Sequence, residues 1–149
     1  MKSFTNILVN KKWGHEFCIY ETSQIGVWCL YINKGEETSL HCHPNKKTCL
    51  ICLDGPVEVE FLSGNTTIVQ SGDKLNIHKG VFHKTKAINE NAIVLETESP
   101  NNKQDLVRLE DKYGRKGTNY EGPESWEVNP NPLYLKHIFI KLGKFRHLF

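Results

Sequence analysis

Between Glu16 and Glu98 the sequence is cut into short apolar runs by clusters of Gly, Asn, Asp and Ser. The runs are Glu16–Glu21, Gly26–Asn33, Thr38–His43, Thr48–Leu53, Val57–Leu62, Thr66–Gln70, Lys74–Ile77, Phe82–Ile88 and Ala92–Glu98. Between them lie clusters such as Asn33-Lys34-Gly35, Asp54-Gly55, Ser63-Gly64-Asn65 and Ser71-Gly72-Asp73. Gly and Asn accept a positive φ, while Asp and Ser bond back to the local backbone, so each cluster is a turn with a mechanism. Short strands at near-regular spacing, with no long helix among them, predict an all-β closed architecture.

The rest of the chain reads differently. Pro100 breaks the last strand, and Leu106 and Leu109 within Gln104–Tyr113 are spaced for one face of a short helix. Lys112–Pro132 is rich in Gly, Asn and Pro and reads as an irregular segment. In 133–149, Leu135, Ile138, Phe139, Leu142 and Phe145 recur at helical spacing among Lys136, Lys141, Lys144 and Arg146. The expected organisation is a β-barrel over residues 11–98 and a partly helical extension over 99–149, packed on the barrel or on a second subunit.

A formal net charge of +2 over 149 residues argues against a nucleic-acid binder. No apolar run reaches the ~18–20 residues of a membrane span, and residues 1–14 lack the apolar core of a secretory signal. The five cysteines are odd in number, and Cys49 and Cys52 sit in an apolar alternating run, so they read as small buried hydrophobes. These features point to a cytoplasmic protein.

The chemistry lies with the histidines. On a strand, residues two apart share a face, so His41 and His43 project together while Cys42 points away. Two imidazoles inside a barrel are costly to leave unpaired, and a divalent metal satisfies one nitrogen of each. His83, at the start of a later strand, supplies a third nitrogen if the strands are neighbours. An H-x-H pair alone also fits a solvated face; the framing glycines Gly35, Gly55, Gly72 and Gly80 add weight.

With that framing the chain resembles the cupin superfamily, whose first motif runs G-x5-H-x-H-x3-4-E-x6-G and whose second runs G-x5-P-x-G-x2-H. Gly35, His41, His43, Gly55, Gly72, Gly80 and His83 fall at the family spacing. The resemblance implies a jelly-roll β-barrel, commonly a homodimer, with one divalent metal (Zn, Fe, Mn, Ni or Co) held by His41, His43 and His83. Two positions depart from the pattern: Thr48 stands where the family carries glutamate, and His78 where it carries proline.

Over about residues 11–115 the chain also looks like the cupin domain of type II mannose-6-phosphate isomerase, often fused to a GDP-mannose pyrophosphorylase. Trp13-Gly14, Ser39-Leu40-His41 and Asp105-Leu-Val-Arg-Leu-Glu-Asp-Lys-Tyr-Gly-Arg115 carry that likeness. It implies an aldose–ketose isomerase or epimerase acting on a sugar or sugar phosphate in polysaccharide or nucleotide-sugar synthesis. Lys46, Arg108 and Arg115 would grip the substrate. For a proton-moving base the candidates are His78 and the pair Glu58 and Glu60, taken as facing inward. Three histidines without glutamate also resemble the iron site of thiol dioxygenases. A sugar-binding cupin that has lost its chemistry is a third reading.

Overall fold

The computed structural model describes residues 3–130, so the expected helix in 133–149 lies outside the described residues. Twelve strands follow in chain order: β1 (Ile7–Lys11), β2 (Gly14–Glu21), β3 (Gly26–Ile32), β4 (Leu40–Cys42), β5 (Lys47–Asp54) and β6 (Val57–Phe61), then β7 (Thr66–Val69), β8 (Lys74–Ile77), β9 (His83–Ala87), β10 (Ala92–Ser99), β11 (Val107–Glu110) and β12 (Trp126–Val128). One 3-10 turn, Pro123–Ser125, interrupts them. They form two antiparallel sheets, ordered β12-β1-β2-β3-β10-β5-β8 and β11-β4-β9-β6-β7. This is an all-β, two-sheet jelly-roll architecture. Among the described residues no helix is long and apolar enough to cross a membrane.

Period-two patterning decides what faces inward. Val9 of β1, Trp28, Leu30 and Ile32 of β3, Leu50 and Cys52 of β5, Val57 and Val59 of β6, and Val94 of β10 form one cluster between the sheets. Trp28 is fully buried, worth roughly 3 kcal/mol of apolar transfer by itself. The alternate residues Leu8, Phe17, Cys29 and Ile93 form a second cluster.

The Trp13-Gly14 step has a steric reason. Gly14 sits at φ +149°, and a Cβ there would stand 1.9 Å from the Tyr31 carbonyl oxygen, so only glycine lets β2 leave the turn against β3. All five cysteines are unpaired.

The expected short helix over Gln104–Tyr113 is absent; Val107–Glu110 is β11, paired with β4. Two leucines three apart are weak periodic support, and the register instead alternates exposed Val107 and Leu109 around buried Arg108. The segment expected to be irregular supplies β12, which pairs with β1 at the edge of the larger sheet.

Candidate metal centre

The smaller sheet assembles the three histidines. His41 of β4 and His83 of β9 are direct cross-strand partners, and His43 follows one residue beyond the end of β4. Ring centroids lie 4.9 Å apart for His41–His43, 4.6 Å for His41–His83 and 5.6 Å for His43–His83. One nitrogen from each ring can be chosen so that all lie within 4.8 Å of one another.

Backbone carbonyls orient each ring. Nδ1 of His41 lies 2.7 Å from the Ser39 oxygen, that of His43 2.8 Å from the Asp105 oxygen, and that of His83 3.0 Å from the Val81 oxygen. A neutral imidazole donating from Nδ1 keeps its lone pair on Nε2, so the three anchors leave three Nε2 acceptors for the cavity. Nε2 of His43 is buried and, among the described residues, has no hydrogen-bond partner. Burial and neighbouring positive charge hold His41 well below its ordinary pKa; burial and Lys46 bring His43 down to about 3; burial also lowers His83. Three neutral, pre-oriented nitrogens around a common point, one of them an orphaned buried acceptor, fit a divalent transition metal.

Local sequence fixes this geometry from both sides. Gly80, at φ +74°, donates its N–H to the His43 oxygen at 2.9 Å and so ties the second motif to the first. Asp105 clamps the turn after His43: its carboxylate accepts from the Asn45 and Lys46 backbone N–H groups, each at 2.9 Å. Its own carbonyl anchors His43.

The rest of the cavity is charged. Lys11, Lys46, Lys103, Arg108 and Arg115 line it together with Glu16, Glu96 and Tyr120. Every one of these cations has a carboxylate partner: Lys11 meets Glu16 and Glu121, Lys46 meets Glu98, Lys103 meets Glu96 and Glu16, Arg108 meets Glu121, and Arg115 meets Asp111 and Glu121. Burial opposes charge on Lys103, but the Glu16, Glu98 and Glu96 carboxylates override it and raise its pKa. Burial likewise works against an ionised Glu16, yet Lys103, Lys11 and the Tyr120 hydroxyl, 2.5 Å away, bring it down to about 2. The free space is about 50 Å³, room for a few water-sized groups.

Of the residues singled out in the sequence, Lys46, Arg108 and Arg115 join the histidines in this cavity. Each arrives already ion-paired, Lys46 most completely, with only 1 % of its side chain exposed. Glu58 and Glu60 do not face inward: Val57 and Val59 take the buried face of β6, and Glu60 pairs with Lys84 on the outside. His78 is exposed on the turn after β8 and lines a different cavity, as does Thr48. The strand alternation that buries Val57 and Val59 puts the glutamates out of phase with the interior. The sequence reading missed Glu16, Glu96, Lys103, Asp105 and Tyr120. A signal for Glu96 was present: it shares phase with inward Ala92 and Val94.

The family profile described as the cupin domain matches residues 28–97. Sequence profile, fold and histidine cluster thus define a cupin-fold chain. Among solved structures it is similar to KdgF from Halomonas (TM-score 0.56, 18% identity, 68% of this chain and 86% of that one). It is also similar to an RmlC-like cupin from Shewanella frigidimarina (TM-score 0.57, 18% identity, 63% and 83%). A third likeness is to the DMSP lyase DddQ from Ruegeria pomeroyi (TM-score 0.56, 17% identity, 62% and 50%). At these identities the likeness carries the fold alone. No curated protein matches the chain. The comparisons reach the cupin fold and do not extend to the mannose-6-phosphate isomerase family.

Proposed function

We propose that this chain is a metal-dependent cupin enzyme that acts on a sugar or sugar phosphate as an isomerase or epimerase. One observation carries the reading: three oriented Nε2 atoms open into the same cavity as two carboxylates and five cationic side chains. His41, His43 and His83 would hold the metal, whose chemistry when bound is to polarise a carbonyl and its neighbouring hydroxyl.

The protein's own groups supply the remainder. Glu96 is buried in the cavity wall; its Oε1 lies 3.4 Å from the Lys103 ammonium, and it is the carboxylate whose charge acts on His83. It replaces Glu58, Glu60 and His78 as the group to move a proton between adjacent carbons. Lys103, kept protonated by its carboxylate neighbours, holds charge beside the reacting atoms. Arg108 and Arg115 offer planar guanidinium groups to an anionic substituent. The space of about 50 Å³ accepts the reacting end of a substrate, a carbonyl with one hydroxyl, rather than a whole hexose.

The test is turnover of aldose and ketose phosphates by the metal-loaded protein in D2O. Isomer formation with deuterium entering at the carbon beside the carbonyl supports the reading. No isomerisation and no exchange with any of the five metals would refute it. One observation favours a second reading: among the described residues no carboxylate joins the three histidines as a ligand. That set also suits oxygen chemistry at iron, and consumption of O2 with a thiol substrate would select it.

A further inference from the structure

The larger sheet has a second apolar face, turned away from the histidine cavity. Strand alternation puts Val9, Trp28, Leu30 and Val94 inside, and their neighbours Leu8, Cys29, Ile93 and Leu95 on the outer face. Register lines these outer residues up across the strands. Leu8 of β1 stands opposite Phe17 of β2, Phe17 opposite Cys29 of β3, and Cys29 opposite Leu95 of β10. The solvated face of an antiparallel sheet is ordinarily polar, and this row is apolar throughout.

The row is also closed to water. Leu8 is 0 %, Phe17 8 %, Cys29 1 % and Ile93 1 % exposed in one chain by itself, so a second copy is not what covers them. Among the described residues, the hydrophobics packed against this cluster are Tyr31, Leu53 and Leu95, which share its face and cannot roof it. Residues 1 and 2 are too few to do so, which leaves the chain beyond Pro130. Its starting point agrees. β12 lies beside β1, with Val128 opposite Ile7, next to Leu8 in the chain. Asn129, at φ +53°, turns the chain there and donates its N–H to the Asn6 oxygen at 2.8 Å. Length agrees too. From Leu135 to Phe145 a helix would rise about 15 Å, and the strand spacings from β1 through β2 and β3 to β10 sum to about 14 Å.

We propose that residues 133–149 dock across this face as its roof, with Leu135, Ile138, Phe139, Leu142 and Phe145 laid along the row from Leu8 to Leu95. Lys144 falls on the opposite side of the same helical pattern, toward water. The strands beneath the roof carry Glu16, Leu30 and Glu96 on their inner face, where these residues line the histidine cavity. The segment therefore backs the wall of the metal centre.

The test uses the full chain carrying Phe139→p-benzoylphenylalanine, irradiated as an equal mixture of 14N- and 15N-labelled protein. Mass spectrometry should find the cross-link on β1, β2, β3 or β10, with both peptides carrying the same isotope. No cross-link, a cross-link elsewhere in the chain, or a mixed-isotope pair that puts a second copy on the face would each overturn the proposal. A second readout is Cys29, beneath the row, by timed labelling with N-ethylmaleimide. Leu142→Asp speeds that labelling at least about tenfold by local opening, while Cys52 in the inter-sheet core stays protected. Lys144→Asp leaves Cys29 protected. Unchanged Cys29 labelling in Leu142→Asp, or equal acceleration by Lys144→Asp, would refute the docking. The cross-link needs only the parent fold, so the test decides even if Leu142→Asp does not fold. None of these outcomes depends on metal or on isomerase activity.

Discussion

The Lys46–Glu98 pair is where structure and sequence reading diverge most, and a double-substitution cycle there separates them. The Lys46 ammonium is bound to Glu98 Oε2 and lies 3.0 Å from the Asn102 carbonyl, with 1 % and 0 % of the two side chains exposed. Lys46→Met keeps the bulk of the stem and removes the charge. Among the described residues Glu98 then loses its one ion pair and keeps an oxygen without a partner, with Lys103 left to act on it at longer range. Breaking a buried pair from one side costs about 3–5 kcal/mol, because an uncompensated charge stays behind. Against a total stability of roughly 5–15 kcal/mol that is a large share. Replacing both members, Lys46→Met with Glu98→Met, removes both charges. It should cost no more than about 1 kcal/mol, mostly the Asn102 carbonyl left without its donor. Urea unfolding at neutral pH, with the m-value as a check on two-state behaviour, reads all four corners of the cycle. A Lys46→Met loss below about 1 kcal/mol, or a double variant as unstable as the sum of the singles, refutes the argument. If Lys46 served only to grip a phosphate, its substitution would raise KM and leave the unfolding midpoint in place.

Three further outcomes are expected. His43→Ala lowers metal content per chain more than about tenfold by elemental analysis, since it removes one of the three proposed ligands and, among the described residues, no carboxylate is grouped with them; unchanged content would remove His43 from the centre. Glu96→Gln keeps the metal and loses at least about a hundredfold in turnover; equal activity would leave the proton transfer to another group. Glu16 supplies the pH dependence: its carboxyl is brought to about 2 in the fold against 4.5 ordinarily, so its stabilisation is present above pH 4.5 and is lost as pH falls toward 2. The amount is up to about 3 kcal/mol. Glu16→Gln should flatten the acid limb of a stability-against-pH curve across that window, and an unaltered limb would count against the Lys103–Lys11–Tyr120 cluster as its cause.

Nine of the strands were legible because their turns carry their own chemistry: Asn33-Lys34-Gly35 and Ser71-Gly72-Asp73 can hardly be anything but turns. The three remaining strands were hidden for separate reasons. β1 is a short run close to the chain start. β12 is three residues inside a stretch dominated by Gly, Pro and Asn. β11 carries a buried arginine where an apolar residue would announce a strand. The histidines were legible because two glycine-framed windows fix their spacing, and the β4–β9 register brings His41 opposite His83. The carboxylates were misassigned by neglecting phase. Glu58 and Glu60 alternate with buried valines and face out, whereas Glu96 and Glu98 alternate with Leu95 and Thr97 and face in. Counting parity from Val57 and Val94 would have exchanged one pair for the other.

Charge balance narrows what the histidine cavity would accept. The five cations Lys11, Lys46, Lys103, Arg108 and Arg115 close their ion pairs on five carboxylates, Glu16, Glu96, Glu98, Asp111 and Glu121. Set against one another they cancel, and three imidazoles held neutral by burial add nothing. A divalent ion on those imidazoles would therefore leave an excess of about two positive charges in a poorly solvated space, with no ligand carboxylate to offset it. Such an excess is costly unless an anion enters with the substrate or a bound water loses its proton. A phosphorylated or otherwise acidic substrate would meet that requirement with its own charge, whereas an uncharged sugar would leave it to the bound water. With no carboxylate grouped with the three histidines among the described residues, a bound metal's charge would be left unmet, and the site would favour a ligand that brings the opposite charge.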